Sequence, residues 1–157
     1  MSHEGPAEQT PSADSAQRRI VVGVDGSAHS ILALRRAREL AEAQDARLDV
    51  VTSWHYPIMM TAYELVFSPT FEEIAKAEQE KALDAVFGAD LPEWVNPVVV
   101  EGNAAQQLVR QSAGAELVVI GSRGLGGFKG LLLGSVSSEV AAHAECPVLI
   151  MRERPAE

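Results

Sequence analysis

Between Gly121 and Gly134 the chain carries six of its twelve glycines, with Ser122, Arg123 and Lys129 among them, and then runs on through Ser135-Val136-Ser137-Ser138. Glycines let backbone amides approach an anion closely and permit positive φ angles. Gly134-Ser135 stands where a helix begins, and unpaired amides and the helix dipole favour negative charge there. The hydroxyls of Ser135, Ser137 and Ser138 add donors. Arg123 and Lys129 are two of only 13 basic residues set against 22 acidic ones. Together these features are the chemistry of a phosphate-binding loop. The same residues also suit a plain strand-to-helix connection with Ser135 as its cap. A loop of this length in a compact domain is uncommon, however, unless it binds something.

A second candidate group is Asp25, which follows the apolar run Ile20-Val21-Val22-Gly23-Val24. A carboxylate there either caps the next helix or meets a ligand. His29 falls in a first helical turn, His55 follows a strand, and His143 lies near a helix C-terminus, where it serves the dipole. None of the three is assigned a catalytic role. The single cysteine, Cys146, precludes an internal disulfide, and its place before Pro147 suits buried packing.

Strands and helices alternate along the chain. Strands are expected at 20–24, 48–53, 95–100, 116–120 and 147–151. Ser27 can cap a helix to about Gln44, Thr70-Phe71-Glu72-Glu73 is a capping box opening a helix to about Phe87, and Gly88 stops it. Asn103 caps a helix over 104–113, and a last helix runs over 135–144. The stretch from Trp54 to Pro69 reads as a loop. This order predicts an α/β fold: one doubly wound, five-stranded parallel sheet with about four helices on both faces. Residues 1–17 are polar and carry no apolar period, so order is expected from Arg18 or Arg19. The expected organisation is a tail over 1–18, one domain over 19–154 and a flexible end over 155–157.

Bulk composition narrows the function. At 46 % hydrophobic residues, 157 residues can build a core. A net charge of −9 repels a phosphate backbone, which argues against nucleic acid. Apolar runs are shorter than the ~20 residues a membrane span needs, and no signal-peptide pattern opens the chain, so a cytoplasmic protein is expected. The P-loop order of Gly, four residues and Gly-Lys-Ser/Thr does not occur. Gly-x-Gly-x-x-Gly is missing after the first strand, and of the acids and lysine that a receiver domain needs, only Asp25 fits.

The spacing Gly121-x2-Gly124-x9-Gly134-Ser135 resembles the ATP-binding motif of the universal stress protein family. Ile20 to Ser27 resembles that family's opening strand, and Gly134 through His143 to Cys146-Pro147-Val148 resembles its last helix and strand. The likeness spans about residues 19–153. It implies a strand order of 3-2-1-4-5 and a pocket for ATP with Mg²⁺, the metal held mainly by phosphates with Asp25 a possible ligand. By that resemblance, Gly23 lies against the nucleotide, Asp25 meets the ribose and phosphate region, and backbone near Ser53 meets adenine. Gly121, Ser122, Arg123, Gly124, Gly126 and Gly127 wrap ribose and phosphates, while Gly134, Ser135, Val136 and Ser137 hold phosphate oxygens. Tyr56, Met59, Met60 and Tyr63 form either a lid over the base or an apolar loop. The family also implies a homodimer through the fifth strand, Pro147 to Met151.

Three functions fit: a nucleotide-dependent stress-response regulator, a slow ATPase or phosphotransferase, and an interaction module independent of nucleotide. The motifs contain no convincing general base, so turnover is expected to be slow at most, and the first reading is preferred.

Overall fold

The computed structural model describes residues 17–67, 70–124 and 133–153. The expected tails lie outside these residues apart from Gln17 and Arg18, as do Gly126, Gly127 and Lys129.

Five parallel strands form one sheet in the order β3-β2-β1-β4-β5, as expected. They are β1 (Arg19–Gly23), β2 (Arg47–Trp54), β3 (Val95–Glu101), β4 (Leu117–Gly121) and β5 (Val148–Met151). The helices are α1 (Ala28–Gln44), α2 (Ala62–Phe67), α3 (Phe71–Phe87), α4 (Ala104–Ser112) and α5 (Ser135–His143). α2 lies in the stretch expected to be loop. Its cause is a second capping box: Thr61 N–H and Oγ1 donate to Glu64 Oε2 at 2.9 and 2.7 Å, and Glu64 N–H donates back to Thr61 Oγ1. These bonds also hold the Glu64 carboxyl below the usual carboxylate range.

The two-residue period of the strands divides the core. Ile20, Val22, Leu48, Val50 and Val119 face α1 and α3, and Val21, Val51, Val118 and Ile120 face α4 and α5. The expected caps all form: Ser27, Thr70 and Asn103 accept from the N–H of Ser30, Glu73 and Gln106. α1 ends on Asp45 at φ 51°, a left-handed position that aspartate tolerates better than most residues.

Two buried polar side chains lock the sheet. Asp49 is 4 % exposed and accepts from Arg19, Arg47 and Asn96, while Arg19 also donates to the carbonyls of Gln111 and Ala113. That network joins β1, β2, β3 and the end of α4. Gln79, 3 % exposed on α3, donates from Nε2 to Val50 O, Thr52 Oγ1 and Val98 O at 2.9–3.1 Å.

The two sheet edges differ. Leu48 N–H donates to Trp94 O and Gly102 N–H to Trp54 O, so in β3 the even-numbered residues turn their backbone groups to β2. Pro97 therefore presents its N–H-less nitrogen to the open side, which blunts that edge. At the other edge, Val118 N–H donates to Pro147 O and Ser122 N–H to Met151 O. Val148 and Ile150 are left to turn their N–H and C=O groups outward. Cys146 sits just before β5, half-buried, and burial pushes its thiol up.

Gln79→Leu should lower unfolding free energy by about 1–3 kcal/mol in urea titrations, through the amide bonds it removes. Since the thiolate is the reactive form, iodoacetamide at neutral pH should modify Cys146 more slowly than free cysteine. The difference should narrow as pH rises past the ordinary thiol range.

Candidate functional site

The carboxyl ends of β1 and β4 diverge because the strand order reverses there: β1 continues into α1 on one face of the sheet, and β4 leads towards α5 on the other. Such a point leaves a crevice. Here it is a cleft of about 210 Å³. The β1 tip contributes Gly23, Val24 and Asp25, β2 contributes Val51 and Ser53, and the β4 tip contributes Gly121, Arg123 and Gly124. Gly134 to Ser137 close it from α5.

Each glycine has its own reason. A Cβ at Gly121 would stand 2.7 Å from His29 Cβ and 2.8 Å from its backbone carbon, so α1 can approach β4 only over a bare backbone. At Gly23 the neighbour is the flexible end of Leu108, at 2.9 Å. A Cβ at Gly124 would stand 2.5 Å from Asp25 Oδ2, which places the carboxylate directly against that backbone. Gly134 is different: its nearest neighbours among the described residues would be 3.5 Å away, at φ −73°, so none of these requires glycine there.

α5 begins at Gly134 without any side-chain cap, and its first intrahelical bond runs from Ser138 N–H to Gly134 O. The N–H groups of Ser135, Val136 and Ser137 precede that bond and have no intrahelical acceptor. The helix end is held by Ser122, whose carbonyl accepts from Gly134 N–H at 2.6 Å and from Ser137 Oγ at 2.9 Å. Ser137 is 3 % exposed, so its hydroxyl is committed inward while its residue still borders the cleft. Ser122 Oγ meets His29 Nδ1 at 2.9 Å, away from the cleft lining.

Asp25 serves the β1–α1 turn: Oδ1 accepts from Ser27 N–H at 2.9 Å, and Gly26 takes φ +84°. Asp25 thus shapes the turn and lines the cleft, while Ser27 is the cap of α1. His55 and His143 are exposed and border no part of the cleft. Tyr56 packs edge-on between Trp54 and Phe71, whereas Ile58 and Met59 are 99 and 91 % exposed. Sequence reasoning missed Ser27, Ser30, Ala104 and Leu108, which also line the cleft. The Asn103 cap marked a helix start beside β3, and only the packing of α4 onto β1 and β2 brings it to this crevice. Among the described residues, no three His, Cys, Asp or Glu side chains converge on a metal position, and no helix is long and apolar enough to cross a membrane.

The model of the Universal stress protein family matches residues 17–152. Over 142 residues the chain is 37 % identical to a universal stress protein of Mycobacterium tuberculosis, covering 89 % of this chain and 47 % of the other. It thus spans about half the length of that relative. It is 34 % identical over 141 residues to a universal stress protein of Thermus aquaticus, covering 86 % of this chain and 98 % of that one. Among solved structures, a universal stress protein in complex with cAMP matches with a TM-score of 0.61 at 28 % identity, over 88 % of this chain and 99 % of that chain. The chain belongs to the universal stress protein family.

Proposed function

We propose that this chain is a cytoplasmic, nucleotide-dependent stress-response regulator that binds ATP with Mg²⁺ and turns it over slowly at most. The observation that carries the reading is the uncapped first turn of α5, whose amides meet the glycine backbone of the β4 tip in one cleft. That is an anion cradle with fixed partial charges. The cAMP complex of a relative supports an adenine nucleotide as the ligand class. In this reading the base lies against Val51, Ser53 and Ala104, the ribose meets Asp25, and the phosphates meet Gly124, Arg123 and Gly134 to Val136. Mg²⁺ would be held mainly by phosphate oxygens, with Asp25 the one carboxylate among the described lining residues, and would neutralise phosphate charge.

Slow chemistry follows from the same lining. Asp25 and Arg123 are its only ionisable side chains among the described residues, and Asp25 Oδ1 already holds the β1–α1 turn. Among the described residues, no further ionisable group is placed there to activate water. In this proposal the protein also pairs with a second copy through β5, whose outward Val148 and Ile150 backbone groups invite a two-fold partner.

Calorimetry with ATP and Mg²⁺ should show binding that Gly134→Glu weakens by about tenfold or more, because a carboxylate would face the phosphates. The circular dichroism spectrum should stay unchanged, as a Cβ fits at 134. Unchanged affinity would remove the cradle from the account. Phosphate release should stay well below about 1 s⁻¹. Sedimentation should find a dimer that Ile150→Pro converts to monomer, since that N–H faces away from β4; a persistent dimer would place the interface elsewhere.

A further inference from the structure

α3 runs beside the edge strand β3 without covering it, and a groove of about 560 Å³ lies between them. It shares no lining residue with the nucleotide cleft. Its walls are apolar where Leu83 and Leu91 border Pro97 and Val99. Its rim is acidic: Glu72, Glu80 and Asp84 recur at helical spacing along one flank of α3. The one cation among the described lining residues, Lys76, is paired with Glu72 at 3.2 Å.

Gln79 adds an independent pointer to a ligand. Its Nε2 faces two carbonyls, Val50 O and Val98 O, neither of which can donate, so the amide orientation is settled. Oε1 therefore points the other way and accepts no hydrogen bond among the described residues. No fully buried side-chain polar atom there lacks a partner, so this oxygen meets solvent in the groove that Gln79 lines. A side chain only 3 % exposed thus offers an acceptor to a groove whose rim is acidic, and what fits there is a donor carrying positive charge.

We propose that this groove docks a basic, extended segment of a partner protein. The methylenes of a Lys or Arg lie along Leu83 and Pro97, and its charged head sits among Glu80, Asp84 and Gln79 Oε1. Glu72 to Asp84 spans roughly 18 Å at 1.5 Å per residue, the reach of about five or six extended residues. Pro97 removes an edge donor, so side chains rather than strand addition carry the contact. The chain's own residues 1–16 hold Glu4, Glu8 and Asp14 and no Lys or Arg, and a second copy brings a net charge of −9. The tail offers no Lys or Arg to this rim, and a second copy is already assigned to β5 in the proposed dimer.

The test is a titration of the ¹⁵N-labelled full chain with an end-blocked peptide of about six residues alternating Lys and Leu. The Gln79 side-chain amide and the backbone of Glu80, Asp84 and Val99 should shift, and an alternating Glu and Leu peptide should shift none of them. In E80Q/D84N, at two exposed positions, affinity should fall about fivefold, as loss of two exposed ion pairs implies. Absence of shifts at Gln79, equal binding of the Glu peptide, or unchanged affinity in the double variant would overturn the site. Spermidine matching the peptide in affinity would overturn the protein segment as its occupant.

Discussion

The carbonyl of Ser122 takes two hydrogen bonds, one from the Gly134 amide and one from the Ser137 hydroxyl, and these dock the first turn of α5 on the end of β4. The amides of a helix start are a strong anion site only if they are held in place and left uncapped. Here both conditions hold. Ser137 is spent on the docking, and Gly134 offers no side chain to satisfy the turn from within. Ser122 also ties the site to its surroundings, through its N–H to Met151 on β5 and its hydroxyl to His29 on α1.

A parallel sheet covered on both faces puts its polar business at its ends and edges. At the amino end, Asp49 with Arg19 and Arg47 forms a hydrogen-bonded ion-pair network that joins the strands. At the carboxyl end, small residues leave backbone bare, and the cleft opens there. The two edges complete the contrast. β3 is blunted by Pro97 and flanked by a groove with an acidic rim, whereas β5 turns the backbone groups of Val148 and Ile150 outward. In the proposed reading, the open edge is the place for a copy of the chain and the blunted edge the place for a basic partner.

Most of the architecture was legible in the residues. Ser27, Thr70 and Asn103 announced three helix starts, because a cap bonds an amide only three residues on. Thr61-Ala62-Tyr63-Glu64 carried the same signal and was obscured by the Pro- and Met-rich stretch around it. The glycine-rich stretch pointed to an anion, and Gly121, Arg123, Gly124, Gly134 and Ser135 do share one cleft.

What the sequence determined by itself is local: strand period, helix caps, and small residues at the tip of β4. These depend on neighbours within a few positions, and so leave a mark on spacing. Tertiary structure alone decided that Gly121 makes room for His29, that Ser137 turns inward to Ser122, and that Leu108 joins the cleft. It also decided that Gln79 braces β2 and β3 while turning its oxygen to the groove. Those roles rest on contacts between residues as many as 92 positions apart, such as His29 with Gly121, and chain order carries no record of which distant atoms will meet.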